Sequence, residues 1–266
     1  MDHKQTIIQA FTDACDSDER VVAAFLGGSF AAGSEDDRSD LDLYVLILSE
    51  KYTEFFATRR NFFECWRNPV FLEDFNDFGF DMLVFILSNG VEGELSMAKD
   101  DNFLHIHGGP IEVLVDKKGL LDNINFPLQG PSQEDQVEIL RRHLWWFWRD
   151  LSLFCTAQAR GQKWTAYGYL ESMRLRCVIL AGLDRDFTIW ASGYEKLEDR
   201  AGELSLKSLE KTVSSLETES MVKAANELIA FYRVISPNLA RRNNLAYPES
   251  LEQVILSREA ELLSAR

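Results

Sequence analysis

The stretch "GGSFAAGSEDDRSDLD", residues 27–42, sets a glycine turn and a hydroxyl ten residues ahead of two carboxylates spaced one apart. Gly28 has no side chain to keep a phosphate away from its backbone. Ser29 offers a hydroxyl and an N–H where a short helix would begin, a place that favours anions. If the chain runs as a strand from about residue 40, Asp40 and Asp42 point the same way, about 6–7 Å apart along it. Leu41 and Leu43 then point to the opposite, core side. Two carboxylates so placed can share a hard divalent cation, which prefers oxygen ligands. A turn that holds phosphate beside a pair that holds metal is the equipment of phosphoryl or nucleotidyl transfer.

The flanking segments have the patterns needed to position these groups. "IIQAFTDAC" has helical spacing, and "VVAAFLGG" (21–28) is a β-branched apolar run stopped by glycines. "LDLYVLIL" (41–48) is a second strand and "FDMLVFIL" (80–87) a third. "IEVLVD" (111–116) is a short fourth, closed by the turn "KKG". Between the second and third, "SEKYTEFFATRRNFFECW" has helical spacing, with Ser49 in position to cap it. After the linker "FPLQGPS" (126–132) the character changes. Pro131, Ser132 and Asp135 form a helix start, and helix-like segments follow to the end, one of them closing at Ile235 ahead of Pro237. The reading is an α+β fold: a small mixed-sheet domain over residues 1–128 and a helical bundle over 129–266.

Charge narrows the partners. The net charge is −15, and residues 1–129 hold 24 Asp+Glu against 10 Lys+Arg, whereas residues 130–266 hold 19 against 18. Nucleic-acid binding rests on clustered Lys and Arg that neutralise phosphates, so RNA and DNA are poor partners for this surface. A metal ion or a cationic small molecule suits it better. No apolar run approaches the length of a membrane helix, and the N-terminus lacks the basic start and apolar core of a secretion signal. Cys15, Cys65, Cys155 and Cys177 are scattered without a CxxC pair. That usage points to reduced, buried thiols and a cytoplasmic location.

Gly-Ser, a spacer, then Asp-x-Asp opening an apolar strand resembles the nucleotidyltransferases of the DNA polymerase β superfamily, with Gly28, Ser29, Asp40 and Asp42 on the signature positions. The length, the "GEL" and "VLVDKKG" segments and the helical second half look most like the bacterial antibiotic nucleotidyltransferases, those acting on lincosamides and aminoglycosides. The resemblance implies a transferase that uses Mg²⁺ and moves AMP, or another nucleoside monophosphate, from ATP or another triphosphate onto a small-molecule hydroxyl. Asp40 and Asp42 would hold the metal, and Gly28 and Ser29 the β- and γ-phosphates. The family also needs a third carboxylate as general base, and two candidates stand open. Asp81 opens the strand "FDMLVFIL", and Glu94 sits in the glycine-bounded "GVEGEL", which this reading treats as a mobile segment. Leu95 stands where relatives carry an aromatic residue beside that glutamate.

Other features carry less. His105 and His107 in "FLHIHGG" would share a strand face, but no third ligand lies near, so surface histidines are expected. In "HLWWFWRD", Trp145 and Trp148 have helical spacing for one face, suited to a core or to walling an acceptor pocket between the domains. Lys163, Arg174 and Arg176 are candidates to reach a triphosphate. Two alternatives remain: a nucleotidyltransferase acting on a protein or tRNA, and a non-catalytic, antitoxin-like nucleotide-binding module. A homodimer is among the assemblies left open.

Overall fold

The computed structural model describes residues 2–63, 69–127, 131–188 and 193–264. Two compact units divide the chain, Met1–Gln129 and Gly130–Arg266. The first is built on a six-stranded mixed sheet and the second is helical, so the architecture is α+β.

In the first unit α1 (Asp2–Ser17) leads into β1 (Val21–Leu26), α2 (Gly28–Ala32), β2 (Leu41–Ile47) and α3 (Tyr52–Thr58). Then come β3 (Pro69–Phe75), β4 (Asp81–Leu87), β5 (Glu92–Lys99) and β6 (Glu112–Asp116). The strand order is β3-β4-β5-β2-β1-β6, with β2 and β5 parallel and the other neighbours antiparallel. Alternation along β2 sorts its side chains between two cores. Leu41, Leu43, Val45 and Ile47 join Ile7, Phe11 and Cys15 of α1 and Phe55 of α3. On the other face Leu46 and Tyr44 pack with Ala23, Phe25, Ala98, Ile106, Leu121 and Phe126.

Within the first unit the structure departs from the sequence reading at several places. The span from residue 49 is not one helix: a 3₁₀ turn (Ser49–Lys51) precedes α3, and a second one (Arg59–Phe63) follows it. Ser49 does not cap it, because its N–H and Oγ both turn to the Asp100 carboxylate, each at 2.9 Å. Strands β3 and β5 were not expected. In β5 the glycine is the reason: an added Cβ at Gly93 would stand 2.4 Å from the Leu41 carbonyl oxygen. Gly93 therefore permits close approach of β2 inside a strand rather than making a turn. His105 and His107 lie outside any strand, and His107 is buried.

The second unit consists of α4 (Gln133–Ala159), α5 (Lys163–Arg185), α6 (Leu197–Arg200), α7 (Glu203–Glu210), α8 (Thr218–Arg242) and α9 (Glu249–Leu263). Ser132 Oγ caps α4 by accepting from the Asp135 N–H at 3.1 Å. Helix α8 continues through Pro237 to Arg242. Burial of Leu239 and Ala240 in the helical core outweighs the backbone bond that proline removes. Trp148 is fully buried in that core, whereas Trp145 and Trp146 are exposed. Cys155 and Cys177 are buried here and Cys15 in the first unit, all as free thiols, and Cys65 lies outside the described residues. Among the described residues no helix is long and apolar enough to cross a membrane.

Candidate active site

Strand β1 ends at Leu26, and the chain turns at once into the five residues of α2. The Gly27 N–H donates to the Asp42 carbonyl at 2.9 Å, which ties the turn to the start of β2. Gly28 then adopts a left-handed conformation, φ 56°, that favours glycine. A Cβ placed on it would stand 1.8 Å from Asp42 Oδ2, so the Asp42 carboxylate rests directly against the Gly28 backbone. The turn and the second aspartate are one structure.

Ser29 follows. Its Oγ is buried and has no hydrogen-bond partner among the described residues. A buried hydroxyl without a partner costs about 1–3 kcal/mol, and at the entrance of a glycine turn a ligand oxygen is the natural group to satisfy it. With five residues, α2 is too short for a helix dipole to contribute much. The anion-binding capacity expected of this turn therefore rests on its backbone and on Ser29 Oγ.

The loop from α2 to β2 delivers Asp40. It is braced by Arg38 N–H donating to Asp36 Oδ1 at 2.8 Å and Asp36 N–H donating to Ser39 Oγ at 2.9 Å. Lys4 of α1 reaches across to the carbonyls of Asp36 and Asp37, at 3.0 and 3.2 Å. Asp40 itself is exposed, just ahead of β2.

The parallel pairing of β2 with β5 sets Asp42 in register with Glu94, and the antiparallel pairing of β5 with β4 sets Glu94 against Val84. Burial first, then the charges of Asp42 and Asp40, hold the Glu94 carboxyl above its usual value of 4.5. The three acids thus feel one another, and no described cation offsets Glu94. Asp81 is elsewhere. It pairs with Met97, three residues along β4 from the partner of Glu94, and accepts a 2.6 Å hydrogen bond from Tyr52 Oη. Of the two candidates for the third carboxylate, the fold brings Glu94 to the aspartate pair and leaves Asp81 in a contact with α3. Glu94 also belongs to an interior strand, not to the mobile segment that its flanking glycines suggest.

One residue of this surface escaped the sequence reading. Tyr44 lies two residues past Asp42, hence on the same sheet face. Its ring stacks on Phe25, with centroids 4.6 Å apart and planes 2° from parallel, and meets the His107 ring edge-on at 4.8 Å. Burial, then the charges of Asp42 and Glu94, raise its phenol above the ordinary range, so it stays protonated. The signal was present in the alternation of the strand, but an aromatic inside an apolar run reads as core. His107 is fixed by Nε2 against the Pro110 carbonyl at 3.0 Å, and burial holds its ring below the usual histidine value. It supports the wall, while the His105 ring meets the edge of Phe80.

The cations considered for a triphosphate are engaged within the helical unit. Arg176 Nε donates to Asp150 at 2.6 Å, Arg174 Nε donates to Thr212 Oγ1 at 2.8 Å, and Lys163 lies 3.6 Å from Glu217. Among the described residues no three His, Cys, Asp or Glu side chains make up a metal site by themselves. A metal at the aspartate pair would take its remaining ligands from a bound substrate and water, as Mg²⁺ commonly does.

No family model matches the sequence, and no curated protein matches it. Among solved structures the chain is similar to an aminoglycoside 6-adenyltransferase from Bacillus subtilis, at 14% identity and TM-score 0.46 over all of both chains. It is also similar to a nucleotidyltransferase-like protein from Exiguobacterium sibiricum 255-15, at 12% identity and TM-score 0.38, over 87% of this chain and 74% of that one.

Proposed function

We propose that this protein is a Mg²⁺-dependent nucleotidyltransferase that moves AMP from ATP onto a hydroxyl of a small, cationic molecule of the aminoglycoside or lincosamide kind. One observation carries the reading: the Asp42 carboxylate rests against the left-handed Gly28 and stands in register with Glu94. This supports a reading in which the turn accepts phosphate, Asp40 and Asp42 hold the metal and Glu94 is the third acid.

The residues fit the cation. Asp40 and Asp42 would hold Mg²⁺, whose charge would offset the part of the Glu94 shift that, after burial, comes from the two aspartates. Bound there, the ion supplies charge neutralisation to the phosphates. The protein's own groups do the rest. The Gly28 turn and Ser29 Oγ bind and orient the β- and γ-phosphates. Glu94 accepts the proton of the acceptor hydroxyl, and its burial, the largest cause of its raised proton affinity, persists with the ion bound and favours a general base. The freed acceptor oxygen forms a bond to the α-phosphorus as the bond to the β-phosphate oxygen breaks, and pyrophosphate leaves. Most of the acceleration comes from holding the two reactants in line.

The test is to incubate the purified protein with ATP, MgCl₂ and a panel of aminoglycosides and lincosamides, following pyrophosphate and acceptor mass. The expected result is pyrophosphate release with a one-adenylyl gain on one acceptor class. Asp42→Asn should fold normally and lose more than about tenfold of that rate. ATP binding without release would mark a non-catalytic nucleotide module. Release unchanged in Asp42→Asn would remove the metal pair from the mechanism.

A further inference from the structure

We propose that Tyr44 is a substrate-contacting residue, its phenol donating a hydrogen bond to a phosphoryl oxygen of the nucleotide held at the Gly28–Ser29 turn. The proposal rests on the nucleotidyl-transfer reading of the site and adds a ligand-binding side chain that lies outside the Gly-Ser and Asp-x-Asp positions.

The argument begins with placement. Tyr44 faces Phe25 across β1 and Ser96 across β5, one row along the sheet from the row that carries Asp42 and Glu94. A Cβ added to Gly27 would meet Tyr44 Cε2 at 2.8 Å. The hydroxyl-bearing end of the ring therefore lies beside the residue that opens the phosphate turn. The same hypothetical Cβ would meet His107 Cε1 at 2.8 Å, so the two rings and the Gly27 backbone form one close-packed wall. Flat stacking on Phe25 and edge contact with His107 fix the ring in place.

Chemistry narrows what the hydroxyl serves. Tyr44 is half-buried, and its Oη makes no hydrogen bond to a described residue. Ser29 Oγ, on the neighbouring turn, is likewise without a partner. Two neutral donors flank a carboxylate-rich surface that would repel a bare anion. A hydroxyl can donate to a phosphoryl oxygen there without adding charge, whereas a lysine or arginine would be drawn onto Asp42 and Glu94. Packing alone would be met by phenylalanine, the residue already present at position 25.

The test is Tyr44→Phe, which keeps the ring and removes only the hydroxyl. Calorimetry on the full-length protein with MgCl₂ would measure affinity for ATP, inorganic tripolyphosphate and adenosine. The expected result is a loss of about tenfold for ATP and tripolyphosphate, the size of one hydrogen bond to a charged group. Adenosine affinity and melting temperature should stay unchanged. A purely structural role would disturb the melting temperature or all three ligands together, and that result overturns the proposal. Equal ATP and tripolyphosphate affinities in variant and wild type overturn it as well, while leaving the reading of the site intact. Should the wild type bind neither compound, that reading falls and this proposal falls with it.

Discussion

Glu94 is the residue at which stability and function pull apart. Its carboxyl is held above 4.5 by burial and by the charges of Asp42 and Asp40, so the folded state binds its proton more tightly than the unfolded chain does. By linkage the ionised Glu94 costs stability. The cost is fully present above the raised folded value and disappears as pH falls through that value to 4.5. Glu94→Gln should therefore melt above the wild type at pH 7 in metal-free buffer, with the difference closing as the pH approaches 4.5. Thermal melts across that range check the sign. The same variant should lose most of its turnover, because an amide cannot take the acceptor proton. A variant that gained neither stability nor lost activity would mean that Glu94 stands apart from the aspartate pair.

At the scale of elements, β5 is the strand that assembles the site, and Gly93 is its weak point. Even a methyl group at Gly93 would press on the Leu41 carbonyl, so Gly93→Ala must push β5 away from β2 and break the register of Glu94 with Asp42. The expected cost is about 1–3 kcal/mol, read as a lower melting temperature together with reduced turnover. Asp81→Asn is the contrasting case. It weakens the Tyr52 hydrogen bond at the far end of β4 and should leave the chemical step within about twofold of wild type, since Asp81 touches no group of the site. Single-turnover rates on the two variants separate these roles. A collapsed chemical rate in Asp81→Asn would return the base to β4.

For the whole molecule the relevant quantity is charge. With most of the net −15 carried by the first 129 residues, the sheet unit should draw in a cationic acceptor and repel polyanions. Raising salt from about 0.05 to about 0.5 M shortens the reach of that field severalfold. KM for a cationic acceptor should therefore rise over this range while kcat changes little. Steady-state kinetics at fixed MgCl₂ would measure it, and a KM independent of salt would show that the acceptor is recognised without help from the acidic surface.

What is local along the chain could be read without the fold. A β-branched run stopped by glycine, a hydroxyl after it, and alternating Asp and Leu at the head of β2 are neighbours along the chain, so their geometry follows from strand and turn rules. The change to helical spacing after residue 131 is equally local. Tertiary structure decided the pairings. That Glu94 rather than Asp81 meets the aspartates follows from the parallel register of β2 with β5, which joins residues some fifty positions apart. Nothing in "GVEGEL" announces a strand, because its central glycine serves an approach of two backbones visible only once both are placed. Tyr44 and His107 were hidden for the same reason. Each reads as an ordinary core or surface residue until Gly27 closes the wall between them.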